Sequence, residues 1–344
     1  MKVLVTGGAG FLGRHLVRKL LDEGNEVTVV DLRGFEDDRF SDEPVTVLEG
    51  DVSDEDFMLS ALQDTDIVVH AAAALPIQSR RQIRQTDYEG TRVALATAKA
   101  NNVDRFIYVS TTAVYGIHDT PFPIDENFPK DPVGPYGLAK YKAELECLDY
   151  QDDMFVSIVR PKTFVGPERL GIMEVLFDWI RRGKNVYLLG DGTNKYQLLD
   201  VADLCEAIWL ACVHPEADDI FNIGATNYGS INEDMQPVLD EADTGAELVH
   251  LPARPVQWIL RILETLNLSP IVQWQYGTMD KNLSVDPAKA RRTLGWKPDY
   301  SNQEALLRNW HWYEKNHDNL NRNSGVTHRE PWNQKILKLV RWFS

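Results

Sequence analysis

Apolar residues in this chain arrive in two rhythms. Short runs at 3–5, 26–30, 45–48, 67–70, 106–110 and 155–159 are bounded by glycine, proline or acidic residues. Between them lie stretches where apolar residues recur at every third or fourth position: Phe11, Leu12, Leu16, Val17, Leu20 and Leu21 form the first. The runs predict buried strands and the stretches predict amphipathic helices. Further helices are expected over 54–62, capped by Ser53 or Asp54, and over 87–100 and 136–149. Strands alternating with helices need crossover connections, which give a doubly wound parallel sheet covered on both faces. The fold class is therefore α/β.

From Phe164 the rhythm changes. F-V-G-P-E-R-L-G-I-M-E-V-L-F-D-W-I is long, apolar and broken by glycine, as suits a smaller α/β lobe over the carboxyl ends of the strands. Residues 186–189 and 198–213 are expected to return to the sheet and add a helix, and 220–223 to form another short strand. Residues 225–315 carry further helices and end in a tryptophan-rich one, Trp310 to Tyr313. This divides the chain into a sheet domain (1–163 and 197–224), a lobe (164–196 and 225–315) and a tail (316–344).

Glycines at 7, 10 and 13 separate the first strand from the first helix. Backbone there can approach a pyrophosphate, and the helix's first amides can hold its charge. The second strand ends in Asp31, 18 residues after Gly13. An acid there accepts from the ribose hydroxyls and repels a 2′-phosphate, which favours NAD over NADP, although Arg33 close by weakens the preference. Ala71 to Ala74, after the fourth strand, would let backbone lie along a flat ligand, or would simply pack tightly under a helix.

Charge narrows the partners. A net charge of −16 argues against nucleic acid, because phosphate binding needs a basic face. Met1-Lys2 runs straight into the first strand with nothing resembling a signal peptide, and no apolar run reaches the roughly 20 residues that span a bilayer. Cys147, Cys205 and Cys212 make neither a disulfide framework nor a metal motif, so a reducing cytoplasm is expected and no metal site is assigned.

The reactive groups follow the fifth strand. Ser110-Thr111-Thr112 ends it, and Tyr136-Gly-Leu-Ala-Lys140 opens a helix 25 residues beyond Thr111. Tyrosine and lysine four apart share a helix face, so the ammonium can sit near the phenol. A free phenol with a pKa near 10 is a poor base at neutral pH; a lysine cation and a positive nicotinamide would favour the phenolate. Thr111 could hold the same substrate oxygen.

With these residues in place, the chain resembles the extended short-chain dehydrogenase/reductases, the NAD-dependent sugar epimerases and dehydratases. The likeness covers about residues 1–315 and rests on T-G-G-A-G-F-L-G at 6–13, Asp31, G-D-V at 50–52, H-A-A-A at 70–73, S-T-T-A-V-Y-G at 110–116, Y-G-L-A-K at 136–140 and R-P-K-T at 160–163. G-D-G at 190–192, V-A-D at 201–203, F-N-I-G at 221–224 and A-R-R-T-L-G-W-K-P at 290–298 extend it. The resemblance implies a Rossmann-type fold, a catalytic set of Thr111, Tyr136 and Lys140, adenine contacts from Asp51 and Val52 and ribose contacts from Lys140. The cofactor set it implies is completed by Gly7, Gly10, Phe11, Leu12, Gly13, Asp31, Leu32, Arg33, Ala71, Ala72, Ala73, Ser110, Tyr136 and Pro161. It also implies a homodimer joined by two helices from each subunit.

Departures from the family pattern shape the reading of the activity. Dehydratases of this family carry an Asp-Glu pair after the active-site threonine; here Thr112 and Ala113 stand there, so water elimination is not expected. Thr163 replaces an asparagine that touches the nucleotide diphosphate, Asp87 replaces another common asparagine, and Lys195 and Tyr196 stand where a phosphate-binding arginine is expected. Lys162, Arg169 and Lys195 could supply positive charge to the substrate, or be ordinary surface cations. The expected activity is epimerisation of a nucleotide sugar through transient oxidation. The alternatives are net oxidation or reduction of a bulky apolar alcohol, as in the steroid-dehydrogenase-like branch, and a non-catalytic NAD-binding protein. Apolar stretches at 172–180 and 256–263 are compatible with the bulky alcohol, or are core.

After a polar linker, P-W-N-Q-K-I-L-K-L-V-R-W-F-S at 331–344 places Trp332, Ile336, Leu339, Val340 and Phe343 on one helical face and Lys335, Lys338 and Arg341 on another. Such a helix can lie on an anionic membrane surface, or pack on the body or a second subunit.

Overall fold

The computed structural model describes residues 1–32, 40, 43–265, 273–318 and 320. Its strands are β1 (Lys2–Thr6), β2 (Glu26–Asp31), β3 (Val45–Glu49), β4 (Ile67–His70), β5 (Arg105–Val109), β6 (Phe155–Pro161), β7 (Phe164–Val165), β8 (Val186–Leu189), β9 (Leu199–Asp200), β10 (Ile220–Ile223) and β11 (Leu248–Leu251). Helices are α1 (Phe11–Asp22), α2 (Glu55–Ala61), α3 (Arg80–Ile83), α4 (Gly90–Ala100), α5 (Gly134–Asp149) and α6 (Ile172–Arg181). They continue as α7 (Val201–Val213), α8 (Ile231–Ala242), α9 (Ala253–Thr265), α10 (Gln273–Thr278), α11 (Ala288–Thr293) and α12 (Asn302–Asn316).

Seven strands pair in parallel in the order β10-β6-β5-β4-β1-β2-β3. Within the run Val3-Leu4-Val5, alternate side chains feed opposite cores, so the continuous apolar stretch is a strand covered twice. Val3 and Val5 join α1 and α7 on one face; Leu4 joins Met58 of α2, Leu95 of α4 and Cys147 of α5 on the other. The direction of strand addition reverses between β1 and β4, which opens a crevice at their carboxyl ends. A third core gathers Phe177 of α6, Val238 of α8 and Trp310 of α12 beyond the sheet. All three cysteines are buried and free.

Two expectations are corrected. The helix expected at 87–100 begins earlier, as α3, widens into a single π turn over Arg84–Glu89, and continues as α4. Its start is a capping box: the Ser79 hydroxyl accepts from Gln82 N at 3.3 Å and Gln82 Oε1 accepts from Ser79 N at 3.2 Å. The polar run Arg80-Arg81-Gln82 hid this start from an apolar periodicity. Residues 186–189 are a strand, but β8 pairs with β11 in a separate two-stranded sheet, and Leu199–Asp200 pairs with β7. Alternation announces a strand without naming its partner.

One buried ionic cluster fixes the helix that carries Tyr136. Arg160 on β6 donates from Nε and Nη2 to the two carboxylate oxygens of Glu144 on α5, at 2.9 and 2.6 Å. Its Nη1 donates to the Tyr115 hydroxyl at 2.9 Å, which donates to Asn222 Oδ1 on β10 at 2.7 Å. Arg160 and Glu144 are 2% and 1% exposed, so neither has water to replace the other. Nearby, Trp296 is buried and donates to the Asp203 carbonyl at 2.9 Å, tying the segment after α11 to α7.

Glu144→Gln should cost about 3–5 kcal/mol, because it leaves the Arg160 guanidinium buried without its charge partner. Urea unfolding with a loss under about 1 kcal/mol would show that the pair is not what holds α5 in place.

Candidate active site and dinucleotide cleft

The turn after β1 has no room for side chains. Gly7 has φ +72°, and a Cβ there would lie 2.8 Å from Ala72 N; one at Gly13 would lie 2.3 Å from the Gly7 carbonyl. The loop 71–73 therefore packs directly on the turn. Thr6 and His70 hold the two together: Thr6 Oγ1 accepts from Ala72 N at 3.1 Å and pairs with His70 Nδ1 at 2.9 Å, while His70 Nε2 meets Thr91 Oγ1 at 3.1 Å. Burial, then the charge of Lys140, pushes His70 down to about 3, so the ring is neutral. Thr6, His70 and Thr91 form a supporting set; in the sequence Thr6 and His70 stand only as the first residues of the motifs at 6–13 and 70–73, with no role assigned, and Thr91 is not singled out.

The cleft fits a dinucleotide. Gly10 at the start of α1 supplies no side-chain cap, and no acid stands in the first turn. Asp31 lies beside the turn, its carboxylate accepting from Ala9 N at 3.0 Å and Leu32 N at 2.8 Å. Phe11 and Leu12 are buried, with Phe11 stacked on Phe164 at 5.7 Å. Leu32 is exposed, and Arg33 falls outside the described residues. Asp51 Oδ1 accepts from the Ser53 amide and hydroxyl, and Val52 is buried against Gly90. Pro161 is buried at the end of β6. The Ser110 hydroxyl donates to Glu144, so it serves the ionic cluster rather than facing a ligand.

Thr111, Tyr136 and Lys140 come together at the carboxyl end of β5. Thr111 caps the short 3₁₀ turn Thr112–Tyr115, accepting from Ala113 N at 3.1 Å. Pro135 starts α5 in its first turn and leads directly into Tyr136. The Tyr136 phenol shares a hydrogen bond with Thr111. Lys140 is 1% exposed; its Nζ donates to the Val109 carbonyl at 2.8 Å and lies 4.4 Å from the Tyr108 ring centre.

Electrostatics differ from the sequence expectation. Burial, then the Asp87 carboxylate, holds the Tyr136 phenol well above its usual range; the Thr111 hydrogen bond and the charge of Arg169 pull the other way. Lys140 does not offset this, because its ammonium faces Asp87 and the Val109 carbonyl. Asp87, in the π turn, is fully buried and pushed up to about 7, mostly by desolvation against the pull of Lys140 and the Ala74 amide at 3.0 Å. Its role near the phenol was visible in sequence only as an acid in place of an asparagine.

The expected substrate residues separate. Thr112 and Ala113 are buried in the 3₁₀ turn. Lys162, buried, places Nζ 4.8 Å from the Tyr196 ring centre, and Thr163 Oγ1 lies 3.3 Å from the Tyr196 hydroxyl. Arg169 is half-buried over the rings of Phe11 and Phe164, at 5.0 and 5.3 Å. Lys195 is exposed and is not brought to this group.

The profile of the NAD dependent epimerase/dehydratase family matches residues 3–224. The chain belongs to this family. Its dinucleotide is NAD, and it is an enzyme of the extended short-chain dehydrogenase/reductase type, with the Rossmann-like sheet of that group. An uncharacterised protein, y4nG, from Sinorhizobium fredii is 32% identical over 98% of this chain and 85% of its own length. A dTDP-glucose 4,6-dehydratase from Streptomyces niveus is 28% identical over 92% of this chain and 94% of its own. A UDP-glucose 4-epimerase from Thermotoga maritima, crystallised with UDP-glucose, superposes with a TM-score of 0.77 at 27% identity, covering 92% of this chain and 100% of its own.

A carboxyl whose folded pKa lies above its unfolded value weakens the fold as pH rises between the two. Asp87 moves from 3.8 to about 7, so Asp87→Asn should match the parent near pH 4 and exceed it by up to about 4 kcal/mol at pH 8. Thermal midpoints of both proteins across that range measure the gap; a gap that stays constant would mean Asp87 is ionised throughout.

Proposed function

We propose that the enzyme is an epimerase of a nucleotide sugar, acting by transient oxidation to a keto intermediate. The observation that carries this is the 3₁₀ turn after Thr111: Thr112 and Ala113, buried, occupy the places where the family's dehydratases carry an acid–base pair, so no group is present to eliminate water. Tyr136 takes the proton of the substrate hydroxyl, with Thr111 holding the same oxygen. Lys140, anchored on Val109 O, would hold the cofactor ribose when NAD is bound. NAD, when bound, supplies a reversible hydride acceptor and a positive ring that favours the phenolate. Asp87 sets the opposite bias, holding the phenol protonated while that ring is absent.

The residues 164–196 and 225–315 serve as the substrate lobe in this reading. The apolar stretch 172–180 has Met173, Phe177 and Ile180 in the third core, which removes it as support for a bulky apolar alcohol. Among the described residues no helix is long and apolar enough to cross a membrane, and the tail at 331–344 lies outside them. A homodimer through α4 and α5 is part of the proposal, supported by Leu138 and Leu145, seven apart on α5 and 44% and 45% exposed.

Tyr136→Phe should lower epimerisation by at least about 10³-fold while leaving NAD affinity within a few-fold of the parent. Supplied with a UDP-sugar and catalytic NAD, the parent should form the 4-epimer without net NADH; stoichiometric NADH would instead make it a dehydrogenase. Activity of the Phe variant near the parent's would place the base elsewhere. Leu145→Glu should shift sedimentation from dimer to monomer; an unchanged sedimentation coefficient would remove that face from the interface.

A further inference from the structure

Four cations are buried among the described residues, and three have a carboxylate facing them. Arg14 pairs with Glu168 at 3.0 Å, Arg160 pairs with Glu144, and Lys140 faces Asp87 and Glu144. Lys162 is the fourth, 2% exposed, and no carboxylate among the described residues answers it. Its surroundings are an aromatic face and two hydroxyls: Nζ lies 4.8 Å from the Tyr196 ring centre, and the Tyr196 and Thr163 hydroxyls lie 3.3 Å apart. An ammonium left alone in such a place opposes folding, so a chain that keeps one is suited to a ligand that completes the pair.

Its position says which part of a ligand that is. Thr111 stands two residues past the end of β5 and Lys162 directly after β6, strands that are neighbours in the sheet with Val109 opposite Val159. In the nucleotide-sugar reading, a ring with its reacting hydroxyl on Tyr136 and Thr111 would turn a ring substituent toward the neighbouring strand end that carries Lys162. An aromatic ring and paired hydroxyls beside the cation also suit a sugar better than a phosphate chain.

We propose that Lys162 receives a carboxylate carried by the sugar, so that the substrate is a nucleotide-linked uronic acid and not a neutral hexose. This rests on the nucleotide-sugar reading above. Pairing with the carboxylate holds the ammonium charged inside the cleft. Burial alone brings Lys162 down to about 7, and its charge also lowers the nearby His118, so Lys162 loses its proton in mildly alkaline solution and would regain it on pairing with the uronate.

Calorimetry on the NAD-loaded enzyme with UDP-glucuronate, UDP-glucose and free UDP tests this. The parent should bind UDP-glucuronate at least tenfold more tightly than UDP-glucose. At pH 8, in buffers of different ionisation enthalpy, the uronate should bring uptake of about one proton and UDP-glucose none. Lys162→Met keeps the length of the stem and removes only the charge. Its thermal midpoint should stay level or rise, and it should weaken UDP-glucuronate at least tenfold more than UDP-glucose or UDP. Equal parental affinity for uronate and glucose, or a loss in the Met variant that is the same for free UDP, would overturn the assignment while leaving the nucleotide-sugar reading intact. Failure of the parent to bind any of the three or their dTDP counterparts would overturn that reading, and this inference with it.

Discussion

The bidentate pair between Arg160 and Glu144 is the constraint on which the active site depends. Five pieces of chain converge on it: the end of β5 through Ser110, the 3₁₀ turn through Tyr115, α5 through Glu144, β6 through Arg160 and β10 through Asn222. Each is held by hydrogen bonds whose directions are fixed by planar groups, and a guanidinium and a carboxylate meet in one plane only. The reacting groups ride on these same pieces, Thr111 one residue from Ser110 and Lys140 one helical turn before Glu144. Precision at the phenol is thus set by a charge pair that never touches a ligand.

Around that pair the surroundings of Tyr136 favour its protonated form. The phenol lies in a site whose burial and nearest carboxylate both favour its protonated form, while the lysine four residues on is held by a backbone carbonyl and by that same carboxylate. Charge brought in by the cofactor acts against a bias already built into the protein.

Much of this was legible in the residues. Strand and helix rhythm predicts the sheet, because strands buried on both faces read as unbroken apolar runs, and the glycine turn, Asp31 and the Tyr136–Lys140 spacing point to the cleft. What stayed hidden depends on partners distant in sequence. Nothing in Val186–Leu189 says that it pairs with Leu248–Leu251 rather than with the main sheet. Nothing in Ser110 says that its hydroxyl goes to Glu144, 34 positions away. The direction of the Tyr136 shift was missed for a related reason: helical spacing brings Lys140 to the same face, but only the fold shows that Asp87 is there first. Lys195 had the right charge at the expected place and yet stands in solvent.

The wide turn at Arg84–Glu89 has a consequence of its own. A π turn is an α-helix carrying one surplus residue, and each residue turns the helix by about 100°. Asp87 sits inside that surplus. Loss of one residue of this turn other than Asp87 would let the helix relax to regular winding and swing the carboxylate out of line with Lys140, with Asp87 itself retained. The bias on the phenol is therefore encoded in the count of residues as much as in their identity, and a one-residue deletion in this turn would reset the enzyme's proton chemistry while leaving every motif of the family intact.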